Sequence, residues 1–159
     1  MARAIQEKIN IPVIFVGRIN RFDDIEKIKK EYSADYIAIG RAFVADPDFI
    51  GKYFSEVKGQ IRPCLACEQG CLGGVRAGQG LKCLVNPEAG KETEKVVLAK
   101  KIKKCAVIGG GLAGMQAALT LKTRGHKIDL YEKDKLGGQF NLAHLTPHKK
   151  SMGSLIPYY

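Results

Sequence analysis

Four cysteines, Cys64, Cys67, Cys71 and Cys83, fall within twenty residues, inside a stretch from Ile61 to Gly90 where hydrophobic periodicity vanishes and glycine, cysteine and proline dominate. A segment of that composition has too little apolar surface to order itself against the loss of chain entropy, so a ligand rather than a core has to order it. It is a loop region between two parts of the 159-residue chain that carry their own periodic patterns. The fifth cysteine, Cys105, lies in an apolar run and reads as a small buried hydrophobe rather than a ligand. An odd cysteine count with no signal-peptide stretch in Met1 to Lys8 argues against disulfides and for a metal site in a reducing compartment, so the chain is expected in the cytoplasm.

The spacing is C-x2-C-x3-C, with the fourth cysteine following after eleven intervening residues. Four thiolates serve a cubane iron-sulfur cluster or a structural zinc equally well in number. Zinc sites more often come as two separated pairs, whereas three close ligands and a remote fourth suit a compact cluster. Gly70, Gly73 and Gly74 leave backbone amides free to approach the sulfurs. Both metals stay open on spacing alone.

The first sixty residues alternate strand and helix patterns. Pro12 to Val16 is a short apolar run ending in Gly17-Arg18 and suits a strand buried on both faces. Asp23 and Asp24 then sit where a first helical turn favours negative charge, with Ile25, Ile28 and Tyr32 on one helical face. Tyr36 to Ile39 repeats the strand and ends in Gly40-Arg41, and Asp46-Pro47 reads as an N-cap and first residue for a helix carrying Phe49, Ile50, Tyr53 and Phe54. These are two successive βα units, and two parallel strands are too few to cover their own edges.

After a charged linker over residues 91–104, a strand from Lys104 to Ile108 runs into Gly109-Gly110-Gly111-Leu112-Ala113-Gly114. This is GxGxxG between a strand and a helix-prone stretch reaching Lys122, and Glu132 stands eighteen residues after Gly114 at the end of a second strand, Lys127 to Tyr131. Gly109 permits the tight turn, Gly111 lets the backbone approach a pyrophosphate, Gly114 lets helix pack on strand, and the N–H groups of Leu112 and Ala113 open the helix towards the anion. An acid at position 132 argues against a 2'-phosphate, leaving FAD, NAD or another adenine nucleotide. FAD is preferred among these, and Gly137, Gly138 and Gln139 suit a backbone near a flavin's adenosine or pyrophosphate half, but the motif alone does not separate the nucleotides. The tail after Asn141 shows no clear period.

The net charge of +10 does not form a nucleic-acid face: residues 1–60 hold 10 basic and 9 acidic groups, and the excess begins at Lys91 without interleaved aromatics. No apolar run approaches the ~20 residues that span a bilayer. Neither nucleic acid nor membrane is expected as a partner.

In this order the features resemble the multidomain NADH:flavin oxidoreductases of the old yellow enzyme class, the group containing bacterial 2,4-dienoyl-CoA reductase and trimethylamine dehydrogenase. The resemblance rests on Gly17-Arg18, Ala34-Asp35 leading to Gly40-Arg41-Ala42, Ala45-Asp46-Pro47, Arg62-Pro63-Cys64 through Cys71, Cys83 to Pro87, Val107 to Gly114, Glu132 and Leu136 to Gln139, and covers nearly the whole chain. It implies an α/β architecture in four parts. Residues 1–60 would be the last two units of a TIM barrel, with Gly17, Arg18, Gly40 and Arg41 on an FMN phosphate. Residues 61–90 would hold a [4Fe-4S] cluster on Cys64, Cys67, Cys71 and Cys83, 91–104 would be a linker, and 105–159 would begin a Rossmann-like FAD domain reduced by NADH or NADPH. An enoyl or enone is the implied small-molecule substrate, with the amine dehydrogenase branch as an alternative and an inert or zinc-stabilised module as another. A TIM barrel takes ~250 residues, so the chain looks like a fragment. No catalytic residue is assigned, and His126, His144 and His148 read as exposed loop histidines.

Overall fold

In the computed structural model of the chain, residues 2–32 and 34–159 are described, with the backbone alone for Ala2 and Arg3. They part into two compact units at the Gly90–Lys91 bond.

The first unit runs α1 (Ala2–Gln6), β1 (Ile14–Val16), α2 (Phe22–Tyr32), β2 (Tyr36–Ala38), α3 (Arg41–Ala45), α4 (Phe49–Tyr53) and α5 (Leu72–Arg76). β1 and β2 pair in parallel, Ile14 opposite Tyr36 and Val16 opposite Ala38. Asp24 fixes the start of α2 by reaching back to accept the N–H groups of Asn20 (2.8 Å) and Arg21 (2.9 Å), which supports the chain turn at the positive end of the helix. Ile19, Ile25, Ala42 and Phe49 form the core, with Phe22 edge-on to Phe49 at 5.4 Å. Full burial of a side chain such as Phe49 stabilises by about 1.5–3 kcal/mol.

Two expectations for this unit are corrected. The first strand is covered on one face only: Phe15 and Ile37 are half-buried, while Ile14, Val16 and Tyr36 are 63%, 78% and 60% exposed, because the helices pack on a single side. The helix after Asp46-Pro47 begins at Phe49 with Asp48 as its N-cap, and Asp46 instead closes α3, a helix that five short residues gave no period to reveal.

The second unit runs β3 (Lys104–Ile108), α6 (Leu112–Thr123), β4 (Lys127–Tyr131) and α7 (Phe140–Ala143), then a 3-10 turn at Lys150–Leu155. β3 and β4 are parallel with Lys104 opposite Lys127 and Ile108 opposite Tyr131, the crossover being α6. Cys105 is half-buried on β3. Residues 91–103 form no helix or strand, yet Ala99 N–H donates to Arg124 O (2.9 Å) and Arg124 Nε to Val97 O (3.1 Å), so this segment lies against the end of α6. The tail that lacked a period folds back: Leu155 is 2% exposed and the Tyr159 hydroxyl donates to Gln116 Oε1 (2.9 Å) on α6. His126 and His144 are half-buried rather than exposed. His126 Nδ1 accepts Lys103 N–H (3.2 Å), and His144 Nδ1 lies 2.9 Å from Phe140 O; His148 is exposed as expected. Among the described residues no helix is long and apolar enough to cross a membrane.

Candidate functional site

The aperiodic stretch is built from its ends inward. Asp46, almost fully buried, accepts the Lys52 ammonium on both carboxylate oxygens (2.9 and 2.7 Å) and the Arg62 N–H at 2.7 Å. Arg62 in turn donates from Nη1 to Asn86 Oδ1 (2.5 Å), and Asn86 Nδ2 donates to Val44 O (3.0 Å). One polar network thus ties both ends of the cysteine segment to the helices of the first unit. Such a network is affordable in the interior because its members satisfy one another.

Within those ends the strands of the loop approach closely at Gly70. A Cβ there would stand 2.9 Å from Lys82 O and 3.1 Å from Cys83 N, and Lys82 N–H donates to Gly70 O at 3.1 Å. This approach brings the remote fourth cysteine back to the first three. Cys64, Cys67, Cys71 and Cys83, all half-buried, line one cavity together with Arg41 and Glu68. Ala66 N–H points at Cys64 Sγ (3.4 Å), and both Ala66 and Glu68 adopt left-handed backbone conformations, φ +52° and +59°. Burial pushes the Cys64 thiol up, against the Ala66 N–H and the Arg41 cation, which favour its thiolate. Among the described residues no group of three or more His, Cys, Asp or Glu side chains is arranged to hold a metal ion. A tetrahedral zinc with bonds of about 2.3 Å would need its thiolates roughly 3.8 Å apart.

A second cavity lies at the strand ends of the first unit, lined by Gly17, Arg18, Gly40 and Arg41. Arg18 has φ +51°. Among the described residues nothing lies within 4 Å of where a Cβ would stand at Gly17 or Gly40, so backbone is open to the cavity at both. Arg41 lines this cavity and the cysteine cavity alike, and its Nη1 pairs with Glu68 Oε1 at 2.6 Å. Glu68 escaped the sequence reading, since a lone acid between Cys67 and Cys71 carries no pattern. Asp46, Arg62 and Asn86 were visible as residues, but not as a network.

In the second unit the glycine loop between β3 and α6 has two kinds of position. At Gly114 a Cβ would stand 1.9 Å from Gly109 O, so only glycine lets α6 begin this close to the loop, whereas Gly111 faces open space. Gly111 bridges to Gly137, whose N–H donates to Gly110 O (2.8 Å), and a Cβ on Gly138 would touch Gly111 Cα at 3.1 Å. Gln139 is the exposed N-cap residue of α7. Glu132 sits at the end of β4, where Oε2 accepts Gly110 N–H (2.6 Å) and Oε1 accepts Asp134 N–H (3.0 Å). The Gly110 bond above all holds this carboxyl below the usual glutamate range. Each oxygen keeps acceptor capacity for a further donor such as a hydroxyl. The open Gly111 backbone, the N-terminus of α6 and an ionised acid form one edge that a nucleotide diphosphate and ribose fit.

The pyridine nucleotide-disulphide oxidoreductase family matches residues 103–157. An NADH oxidase of Thermoanaerobacter brockii is 44% identical over 153 residues, 94% of this chain and 24% of that protein. A bilirubin reductase of Mediterraneibacter gnavus is 37% identical over 158 residues, 98% of this chain and 25% of that protein. The solved structure of histamine dehydrogenase from Rhizobium sp. 4-9 matches with a TM-score of 0.87 and 27% identity, over 99% of this chain and 24% of that one. The chain spans about a quarter of the length of the relatives it matches.

Proposed function

This chain belongs to the NADH:flavin oxidoreductase family of the old yellow enzyme class, and on that premise we propose that it is the electron-relay portion of such an enzyme. The observation that carries the reading is the convergence of four cysteines on one cavity that shares Arg41 with a second, glycine-lined cavity. Bound to such a portion, a [4Fe-4S] cluster and two flavins would supply one-electron transfer and hydride acceptance, with NADH or NADPH as donor.

The chain's own residues would do the holding. Gly17 and Gly40 offer open backbone, and Arg18 and Arg41 guanidinium forks, to an FMN phosphate; the half-covered β1–β2 pair would be the last two strands of a barrel, whose loops form such phosphate sites. Cys64, Cys67, Cys71 and Cys83 would bind the cluster. Three close cysteines and a remote fourth, converging on one cavity, support a compact cluster over a zinc held by two separated pairs. Gly109, Gly111, Leu112, Ala113 and Gly114 would cradle the FAD diphosphate, Glu132 would accept from a ribose hydroxyl, and Gly138 and Gln139 would flank it. Reduction of an enoyl or enone substrate is the favoured reaction of the whole enzyme. The fold similarity to histamine dehydrogenase keeps amine oxidation as the second reading.

The test is iron, zinc and acid-labile sulfide per chain, with an absorption spectrum, on protein prepared without oxygen. Roughly four irons and four sulfides, with broad absorbance bleached by reductant, are expected. One zinc and no sulfide would overturn the relay reading and make the cysteine loop structural.

A further inference from the structure

Arg41 occupies a singular position in the first unit. It opens α3, lines both cavities, and is half-buried, so its charge acts on the cysteine cavity through a medium less polar than bulk water. A guanidinium cannot shed its proton, which makes this a permanent positive charge beside Cys64. Its partner is Glu68, which comes from the cysteine loop itself, three residues before Cys71 and one after Cys67. The loop spends a left-handed backbone at Glu68, φ +59°, a conformation that is uncommon for a residue with a side chain. The carbonyl of this same residue accepts the Gly73 N–H at 2.8 Å, which holds the turn into α5.

We propose that the Arg41–Glu68 pair sets the reduction potential of the group held by the four cysteines, Glu68 keeping the potential down by cancelling part of the Arg41 charge. The inference rests on the cluster reading above and adds the electrostatic control that reading lacks. Reduction adds one electron, taken from an external reductant, and so adds one negative charge inside the cavity. A cation at its wall stabilises that reduced state and raises the potential; an anion does the reverse. Glu68 is a positioning and charge-setting residue here, since it supplies no thiolate.

The test is a mediated redox titration with dithionite, followed by absorbance, on the whole chain prepared or reconstituted anaerobically, with iron and sulfide measured on the same samples. Glu68→Gln is expected to move the midpoint to more positive values, and Glu68→Lys to move it further in the same direction, about twice as far, because the local charge changes by one and then two. Arg41→Gln is expected to move it to more negative values. Glu68 is exposed, so its variants fold even where Arg41→Gln does not. A cluster that assembles with an unmoved midpoint in both Glu68 variants, or one that moves negative, overturns this inference alone. Wild-type chain without sulfide overturns the cluster reading, and this inference falls with it.

Discussion

Asn86→Ala tests whether the ends of the cysteine segment are held by hydrogen bonds, as the geometry requires. Asn86 is 2% exposed and makes three bonds: its Oδ1 accepts from Arg62 Nη1 (2.5 Å) and Glu88 N–H (3.1 Å), and its Nδ2 donates to Val44 O (3.0 Å). A bond to a charged donor contributes about 1.5–3 kcal/mol and a neutral one about 0.5–1.5. Glu88 is exposed, so water recovers most of its share. The loss should therefore come to about 2–4 kcal/mol, a large part of the ~5–15 kcal/mol that a domain has. Urea denaturation measures it, with an unchanged m-value confirming that the unfolded state is not the cause. Because the network closes the segment, the variant's four loop thiols should also react faster with a disulfide reagent at urea concentrations where the unit is still folded. Asn86→Asp separates the causes: it keeps acceptors for Arg62 and Glu88 but turns a carboxylate oxygen on Val44 O, and should fall between wild type and alanine. A loss below about 1 kcal/mol for Asn86→Ala, with unchanged thiol reactivity, would refute the clamp.

Three further outcomes follow. Gly114→Ala puts a methyl 1.9 Å from Gly109 O, backbone against backbone, and should destabilise the second unit by about 1–3 kcal/mol or more in thermal unfolding while weakening binding of an adenine dinucleotide. Gly70→Ala forces the Lys82–Cys83 backbone away from Gly70, and should lower the iron bound per chain with helix content unchanged by circular dichroism. Glu132 has its carboxyl held below the usual range, so between its folded and unfolded pKa values the unfolded chain binds the extra proton. Its contribution to stability is then full above the ordinary glutamate range and is lost as pH falls through the lowered value; Glu132→Gln should remove that acid-side dependence in pH-resolved melts.

Much of the second unit is legible in its residues because its signals are local. The strand at Lys104–Ile108 and the helix opening at Leu112 were placed by an apolar run meeting a glycine cluster, and they stand where expected. The tail after Asn141 was opaque because it is anchored by single contacts, Leu155 and Tyr159, rather than by a repeating face. In the first unit the strands were legible as apolar runs, but not their one-sided covering, which depends on what else packs on them. Asp46 misled for an instructive reason. Aspartate before proline is a common N-cap, yet here Asp48 takes that place, and the Asp46 carboxylate instead accepts the Asp48 N–H in the turn before α4, the Lys52 ammonium from within α4 and the Arg62 N–H sixteen residues on.

The same contrast explains how a stretch without a period can be specific. Between Ile61 and Gly90 the buried apolar side chains are few, Pro63, Leu65, Val85 and Ala89. Apolar burial of that size cannot offset the entropy of ordering thirty residues at ~1–2 kcal/mol each. Order therefore comes from polar ends and from close backbone approach: Asp46 and Asn86 fix where the segment leaves and returns, and Gly70 against Lys82 folds its middle. Those contacts leave the four half-buried thiols facing one cavity, with Ala66 N–H donating to Cys64 Sγ. The segment is thus prepared by the protein and completed by whatever the thiols bind. Binding energy spent there does not go into folding the whole loop, which is why iron content should respond to Gly70→Ala while helix content does not.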